Sequence, residues 1–408
     1  MALIVQKYGG TSVGTLERIR NVAKRIIKTK ETGNDVVAVV SAMAGETDRL
    51  LNLAKEAALD PEERELDVIL ATGEQVSSAL LSIVLNSMGY STKSYLGHQI
   101  KISTDSVYGG ARITSVDVDK IYSDLSEGKI VVVAGFQGED EKGNITTLGR
   151  GGSDITAVAI AAVLKAKFCE IYTDVDGVYT TNPSICDQAR KMKRISYDEM
   201  LEMASMGAKV LQIRSVEFAK KYGVPIHVRS SFNENNGTIV CEEDIEMEKA
   251  QVSGVTCDKG QARIEIARVP DRPGIAAKFF NAISAANIVV DMIIQTSSLE
   301  EGCANMAFTI SKADFPKTIN IAQILAKELG AKEVIAEEDV TKVSMVGVGM
   351  RTHSGVAAKM FAALAKEGIN IKMISTSEIK ISCIIDAKYT ELAVRSLHDT
   401  FRLGREKE

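Results

Sequence analysis

Residues Thr147-Leu148-Gly149-Arg150-Gly151-Gly152-Ser153-Asp154, TLGRGGSD, stand immediately before the apolar run ITAVAIAAVL. The glycines free the backbone to turn sharply and to show its N–H groups to an anion, and a helix start just behind them adds a partial positive charge. Such a loop suits a negative ligand, although an ordinary Gly-rich turn with a Ser-Asp helix cap shares the pattern. Its surroundings decide the fold. Short β-branched runs alternate with amphipathic stretches: ALIVQKY, LERIRNVAKRIIKTK, DVVAVVSA, KIVVVAGF, ITAVAIAAVLKA and CEIYTDV. That alternation predicts an α/β unit over residues 1–233, a mainly parallel sheet sandwiched by helices. Ligands of such sheets bind beyond the carboxyl ends of the strands. Here VQKYGG, VVSAMAG, VAGFQG and YTDVDG all bring Gly-containing loops to those ends, which suggests one common cleft.

The 408 residues exceed what one hydrophobic core usually organises, so two or three domains are expected. A formal net charge of -5 gives no overall attraction to nucleic acid or to an anionic membrane, and no basic or aromatic patch recommends a nucleic-acid role. The six cysteines show no CxxC or CxxH spacing, which argues against a zinc site or a disulfide framework and for buried thiols in a reducing compartment. The four histidines show no HExxH spacing. The apolar stretch after Met1 is too short for a signal peptide and no window approaches a membrane span, so cytoplasmic residence is expected.

Around residues 233–251 the texture turns polar and acidic, NENNGTIVCEEDIEMEKAQ, and residues 234–262 read as a linker with a first strand region. Beyond it lies an internal repeat. RPGIAAKFFNAISAANIVVDMII (272–294) superposes without gaps on HSGVAAKMFAALAKEGINIKMIS (353–375), with Gly274/Gly355, Lys278/Lys359, Phe280/Phe361 and Met292/Met373 among the identities. Two small α+β units follow, at 263–338 and 339–408.

Several residues in the first unit carry chemistry. Lys7 ends the first strand in QKYGGTSVG with Gly9 and Gly10 behind it, placed to meet phosphate oxygens, although GxxxxGK[ST] is absent. Ser41 in VVSAMAGETD offers a hydroxyl at a strand end, and Glu74 in ATGEQVSSALL a carboxylate on an apolar helix. Paired with Arg150, Glu74 makes a complementary set for a free amino acid, the guanidinium gripping a carboxylate and the carboxylate receiving an ammonium. YTDVDGVYTTNP (172–183) combines acids, Gly and Pro after a strand, which a common Asp-Gly turn also does.

Taken in order, KYGGTSVG, SAMAGETD, ATGE, VAGFQG, TLGRGGSD and YTDVDGVYTTNP, followed by a repeat, resemble the aspartate kinase family of the amino-acid kinase fold. The resemblance covers nearly the whole chain, and the repeat looks like two ferredoxin-like (βαββαβ) ACT domains. One departure is Cys186, where the family often has an apolar residue. The resemblance implies that Arg150 binds the α-carboxylate of L-aspartate with Gly151, Gly152 and Ser153 nearby, that Glu74 receives the α-amino group, and that Ser41 and Thr47 help to define the pocket. It implies that Lys7 stabilises phosphate, that Asp154 orients Lys7, and that Gly9, Gly10, Thr173, Asp174, Tyr179 and Lys209 hold the nucleotide.

The implied reaction is ATP plus L-aspartate giving ADP and 4-phospho-L-aspartate, with Mg²⁺ held mainly by the nucleotide phosphates and no protein metal site. Rival readings are a kinase of the same fold acting on glutamate, acetylglutamate, carbamate or a nucleotide, and an amino-acid sensor that has lost its chemistry. Lys7 and Asp154 speak against the sensor. As in similar enzymes, lysine, threonine or both are expected to inhibit at the repeats. The implied contacts are Asp271, Gly274, Ile275, Ala276, Asp291 and Gln295 in the first repeat, and Ser354, Gly355, Val356, Asn370 and Ile371 in the second. A homo-oligomer paired through the ACT domains is expected; some similar enzymes also make a shorter subunit from an internal start, and Met247 marks where one would begin here, which the sequence alone does not decide.

Overall fold

The strands of the first half owe their burial to unbroken β-branched runs. In a computed structural model, which describes residues 2–205, 210–244, 252–297 and 302–405, DVVAVV and IVVVA form strands Asp35–Val40 and Ile130–Ala134, buried along almost their whole length. They lie inside an eight-stranded sheet ordered Arg194–Ser196, Thr238–Cys241, Ile226–Ser230, Phe168–Thr173, Leu3–Tyr8, Asp35–Val40, Ile130–Ala134, Thr92–Tyr95. Every pairing is parallel except Ile226–Ser230 with Thr238–Cys241. The helix Leu16–Glu31 buries Ile19, Val22, Ala23 and Ile26, the three-and-four spacing of one face, and is capped by Thr15, whose hydroxyl accepts the Arg18 N–H at 3.2 Å. The helix Gly152–Val163 is buried from Gly152 through Ala161, which explains its lack of a polar face. A small sheet, ordered Ile113–Val116, Ile102–Thr104, Gln137–Glu139, Ile145–Thr147, carries the chain into the Gly-rich loop.

One expectation needs correction. The helix Glu63–Ser87 is, by length and composition, long and apolar enough to cross a membrane. It instead packs in the first unit with Leu81 and Leu85 in the core and with Asp67 and Glu74 buried, the marks of a core helix in a folded unit.

Among the described residues the chain forms two compact units. The first holds residues up to Val178, 191–205 and 210–244; the second holds 179–190 and the residues from 252 onward. The second is built on one antiparallel sheet, ordered Val290–Ser297, Cys303–Ser311, Gly254–Pro270, Glu333–Val346, Lys380–Asp386, Met373–Thr376. Each repeat starts its helix from a left-handed glycine, Gly274 (φ 95°) before Ile275–Ala285 and Gly355 (φ 88°) before Val356–Lys366. The repeats are not laid end to end. Residues 254–258, read as linker and first strand region, pair with 342–346 and supply the fourth strand of the second repeat. The helix Thr390–Thr400 is followed by no strand among the described residues, so the edge at 340–346 is covered from upstream.

The segment Tyr179–Arg190, which the sequence places inside the first unit, packs with the second. Ile185 joins the core of the second repeat with Val343, Leu364 and Leu397. The Ile185 carbonyl accepts Arg395 Nε at 2.7 Å, the Thr180 carbonyl accepts the Val255 N–H at 2.7 Å, and the Thr180 hydroxyl lies 3.0 Å from His398 Nε2. Cys186 is buried there.

Candidate active site

The carboxyl ends of neighbouring parallel strands bring the charged residues together, because side chains and loops at that end share one side of the sheet. Lys7, one residue from the end of Leu3–Tyr8, makes an ion pair of 2.5 Å with Asp154 in the first turn of Gly152–Val163, and both side chains are largely buried. A Cβ added to Gly9 would lie 3.6 Å from Lys7 Nζ, and one added to Gly10 would stand 2.9 Å from the Ala42 carbonyl oxygen, so the turn after the strand runs close against both. Ser41, at the end of the next strand, donates its N–H to the Tyr8 carbonyl at 3.1 Å and accepts the Ser77 hydroxyl on its own carbonyl at 2.7 Å. Gly135, which would drive a Cβ to 2.8 Å from that of Ser153, lets the third strand end against the helix start.

Glu74 completes this group from the long helix. Its Oε1 accepts the Ala42 N–H at 2.9 Å, while Oε2 is buried with no hydrogen-bond partner. Burial pushes its carboxyl up to about 7; the Ala42 N–H, its own backbone and the nearby Lys7 charge oppose that rise without cancelling it. An unpartnered carboxylate oxygen in such a place lacks a cation or a donor.

The Gly-rich loop is held from several sides. Gly149 (φ 72°) and Gly151 (φ 73°) both adopt left-handed backbone, and a Cβ at Gly151 would fall 2.2 Å from Gln212 Cγ. Arg214 donates to the carbonyl of Leu148 at 2.6 Å and to that of Ala111 at 3.0 Å. Thr156 accepts the Phe136 N–H at 3.2 Å and donates to the Gly152 carbonyl at 3.0 Å. Asp67 accepts from Thr147 and Gly109. The sequence reading missed Asp67, Thr156 and Arg214; a lone acid in LDVILATGE is the only signal of the three that stands out. Arg150 itself is exposed and makes no ion pair with the described residues. Thr47 sits in the first turn of Glu46–Ala57, half-buried, behind left-handed Gly45.

The nucleotide candidates divide. Thr173 ends Phe168–Thr173 next to the Gly9 turn, whose N–H bonds the Tyr172 carbonyl at 3.3 Å, and its hydroxyl donates to Asp174 at 3.0 Å. Tyr179 belongs to the second compact unit, and Lys209 lies outside the described residues, as does Met247. Among the described residues no three His, Cys, Asp or Glu side chains gather to hold a metal ion.

In the second unit a cleft of about 380 Å³ opens in the first repeat, lined by Asp271, Gly274, Ile275, Ala276 and Gln295 together with Arg272 and Met306. Asp291 does not line it; its carboxylate is ion-paired with Lys342. In the second repeat Ser354, Gly355 and Asn370 are exposed, Val356 is buried in the core, and Ile371 packs against that core.

The profile of the amino acid kinase family matches residues 2–230, and two ACT domain profiles match 262–330 and 343–401. The chain is similar to the aspartate kinase Ask_LysC of Stutzerimonas stutzeri, 54% identical over 404 residues that cover 99% of this chain and 98% of that protein. Among solved structures it is similar to E. coli aspartokinase III in complex with aspartate and ADP in an R-state, with a TM-score of 0.79 and 26% identity over 98% of this chain and 99% of that one. The same enzyme in complex with lysine and aspartate in a T-state gives a TM-score of 0.78 at 25% identity, again over 98% and 99%.

Proposed function

The chain belongs to the amino acid kinase family and, within it, to the ATP-dependent aspartate kinases that carry ACT domains, and from that membership we propose that it transfers the γ-phosphoryl group of ATP to the side-chain carboxylate of L-aspartate, giving ADP and 4-phospho-L-aspartate. The observation that carries the substrate reading is Glu74 Oε2, buried without a partner within reach of the Lys7 charge. An α-ammonium supplies the missing donor, and Arg150, exposed and unpaired in the next loop, supplies the two-pronged grip for an α-carboxylate. Ser41 and Thr47 close the pocket from the second strand end, and Ser153 from the helix start.

The acceptor carboxylate is already ionised at neutral pH, since its ordinary pKa is about 3.9, so no general base is required. One carboxylate oxygen bonds to the γ-phosphorus as the bond from phosphorus to the ADP oxygen breaks. Catalysis then consists of alignment and charge stabilisation. Lys7, fixed by Asp154, brings positive charge to the phosphoryl oxygens, while Gly9, Gly10 and the N-terminus of Gly152–Val163 offer backbone N–H groups. Magnesium enters with the nucleotide as the substrate complex, and Thr173, Asp174, Tyr179 and Lys209 are the proposed nucleotide contacts. The product opens lysine, threonine and methionine synthesis. Lysine, threonine or both are the proposed effectors at the ACT domains, through which the subunits pair. An ADP-release assay with aspartate and with glutamate tests the reading: aspartate is used, and Glu74→Gln raises its KM. Equal use of glutamate, or an unchanged aspartate KM in Glu74→Gln, refutes it.

A further inference from the structure

One face of the helix Glu63–Ser87 is hydrogen-bonded to two loops and two strands around the site. Asp67, fully buried, accepts the Thr147 N–H at 2.7 Å, the Thr147 hydroxyl at 2.6 Å and the Gly109 N–H at 3.0 Å. One turn on, the Ala71 carbonyl accepts the Gln137 side-chain amide at 3.0 Å. A further turn brings Glu74 to the Ala42 N–H and Ser77 to the Ser41 carbonyl. Positions 67, 71, 74 and 77 recur at the three-and-four spacing of a single stripe. Asp67 and Glu74 stand two turns apart, about 10 Å along the axis. Thr147 opens the stretch that carries Arg150 three residues later. A buried carboxylate ties a helix to a strand less favourably than apolar packing would, which speaks for placement rather than stability as its purpose.

We propose that Asp67 is a positioning residue for the amino-acid substrate. Through Thr147 and Gly109 it sets where the Arg150 loop stands relative to Glu74, and so the angle at which the two grips hold the substrate's Cα and aim its side-chain carboxylate at Lys7. The inference rests on the reading that Glu74 and Arg150 take the ammonium and the carboxylate.

Asp67→Asn keeps the size and one acceptor oxygen but turns an amide N–H toward the donors of Thr147 and Gly109. In the full-length enzyme at saturating ATP, the aspartate KM rises about tenfold or more, because small misplacements of a gripping group are costly, while the ATP KM stays within about twofold. Combined with Arg150→Lys, the second change adds little to the first, because both act on the same grip. Aspartate and ATP KM values that rise together, or single effects that multiply in the double variant, overturn the assignment of Asp67 and leave the Arg150 grip standing. An aspartate KM unchanged in Arg150→Lys alone overturns the grip, and the role of Asp67 with it. Should Asp67→Asn fail to fold, Thr147→Val deletes one hydrogen bond of the same set and carries the same test, with a rise of about two- to fivefold expected.

Discussion

To receive an ammonium, as proposed, Glu74 would have to be ionised, yet burial holds its carboxyl near 7 in the free protein. The kcat/KM for aspartate is therefore expected to climb with pH up to about 7 and then level. Glu74→Gln should flatten that limb and lower kcat/KM by about 10- to 100-fold, the worth of one charge-assisted hydrogen bond; a pH profile of both proteins checks it. The same residue makes a stability prediction of opposite sense. A folded pKa above the ordinary 4.5 means stability is lost as pH rises from there to about 7, so without substrates Glu74→Gln should melt higher than wild type at pH 8 and about level with it near pH 4.5. If Lys7 serves the phosphoryl group as proposed, its charge is needed chiefly in the transition state, and Lys7→Ala should lower kcat by about 10²- to 10³-fold with a smaller change in aspartate KM. Steady-state kinetics on protein shown to be folded decides it. Arg150 and Glu74 could be proposed from the sequence as a complementary pair, since charge and hydrogen-bonding capacity belong to residue type. Asp67 could not be, because its meaning lies in a strand residue 80 positions away, Thr147, whose N–H and hydroxyl it accepts.

Strands whose two faces are buried announce themselves as unbroken apolar runs, which is why DVVAVV, IVVVA and the crossover pattern were readable. The helix Glu63–Ser87 was harder, since apolar composition alone does not separate a core helix from a membrane span; the buried acids on its polar stripe do. Pairing partners are also invisible locally: nothing in GVTCD assigns residues 254–258 to a repeat that begins beyond residue 339. At the Gly-rich turn, Gly151→Ala should be damaging on two counts, a left-handed φ of 73° and a Cβ 2.2 Å from Gln212 Cγ. A loss of about 1–3 kcal/mol in stability with a raised aspartate KM is expected, from denaturant unfolding and kinetics together. Strands Leu3–Tyr8 and Phe168–Thr173 carry their own polar link on the face opposite Lys7. Burial pushes the Glu170 carboxyl up, but hydrogen bonds from His227, Gln6 and Tyr172 and the Arg229 charge outweigh it and bring it to about 2. A depressed folded pKa gives stability that is present above 4.5 and lost as pH falls toward 2. Glu170→Gln should therefore destabilise by roughly 3 kcal/mol at pH 7 and by much less near pH 2.5, as thermal melts at both pH values would report.

For the molecule as a whole, inhibition requires that an effector bind two states unequally. Gln295 lines the cleft in the first repeat. Gln295→Ala should raise the lysine or threonine concentration for half-inhibition by about tenfold, the loss of one hydrogen bond to a charged ligand, with little change in uninhibited turnover. Titrating lysine, threonine and their mixture against both proteins tests it, and a wild type that none of them inhibits would remove the regulatory reading. The strand at 254–258 also bears on how the chain is made. A ribosome delivers Val252 and Val255 well before the residues that bury them, and Ile185 earlier still. The first repeat, contiguous from 261 to its last strand, can close as soon as it emerges, whereas these three side chains share a core that also takes Leu397 and Phe401 and is complete only when those have left the exit tunnel. A nascent chain halted before the helix Thr390–Thr400 therefore exposes apolar surface of the kind chaperones hold.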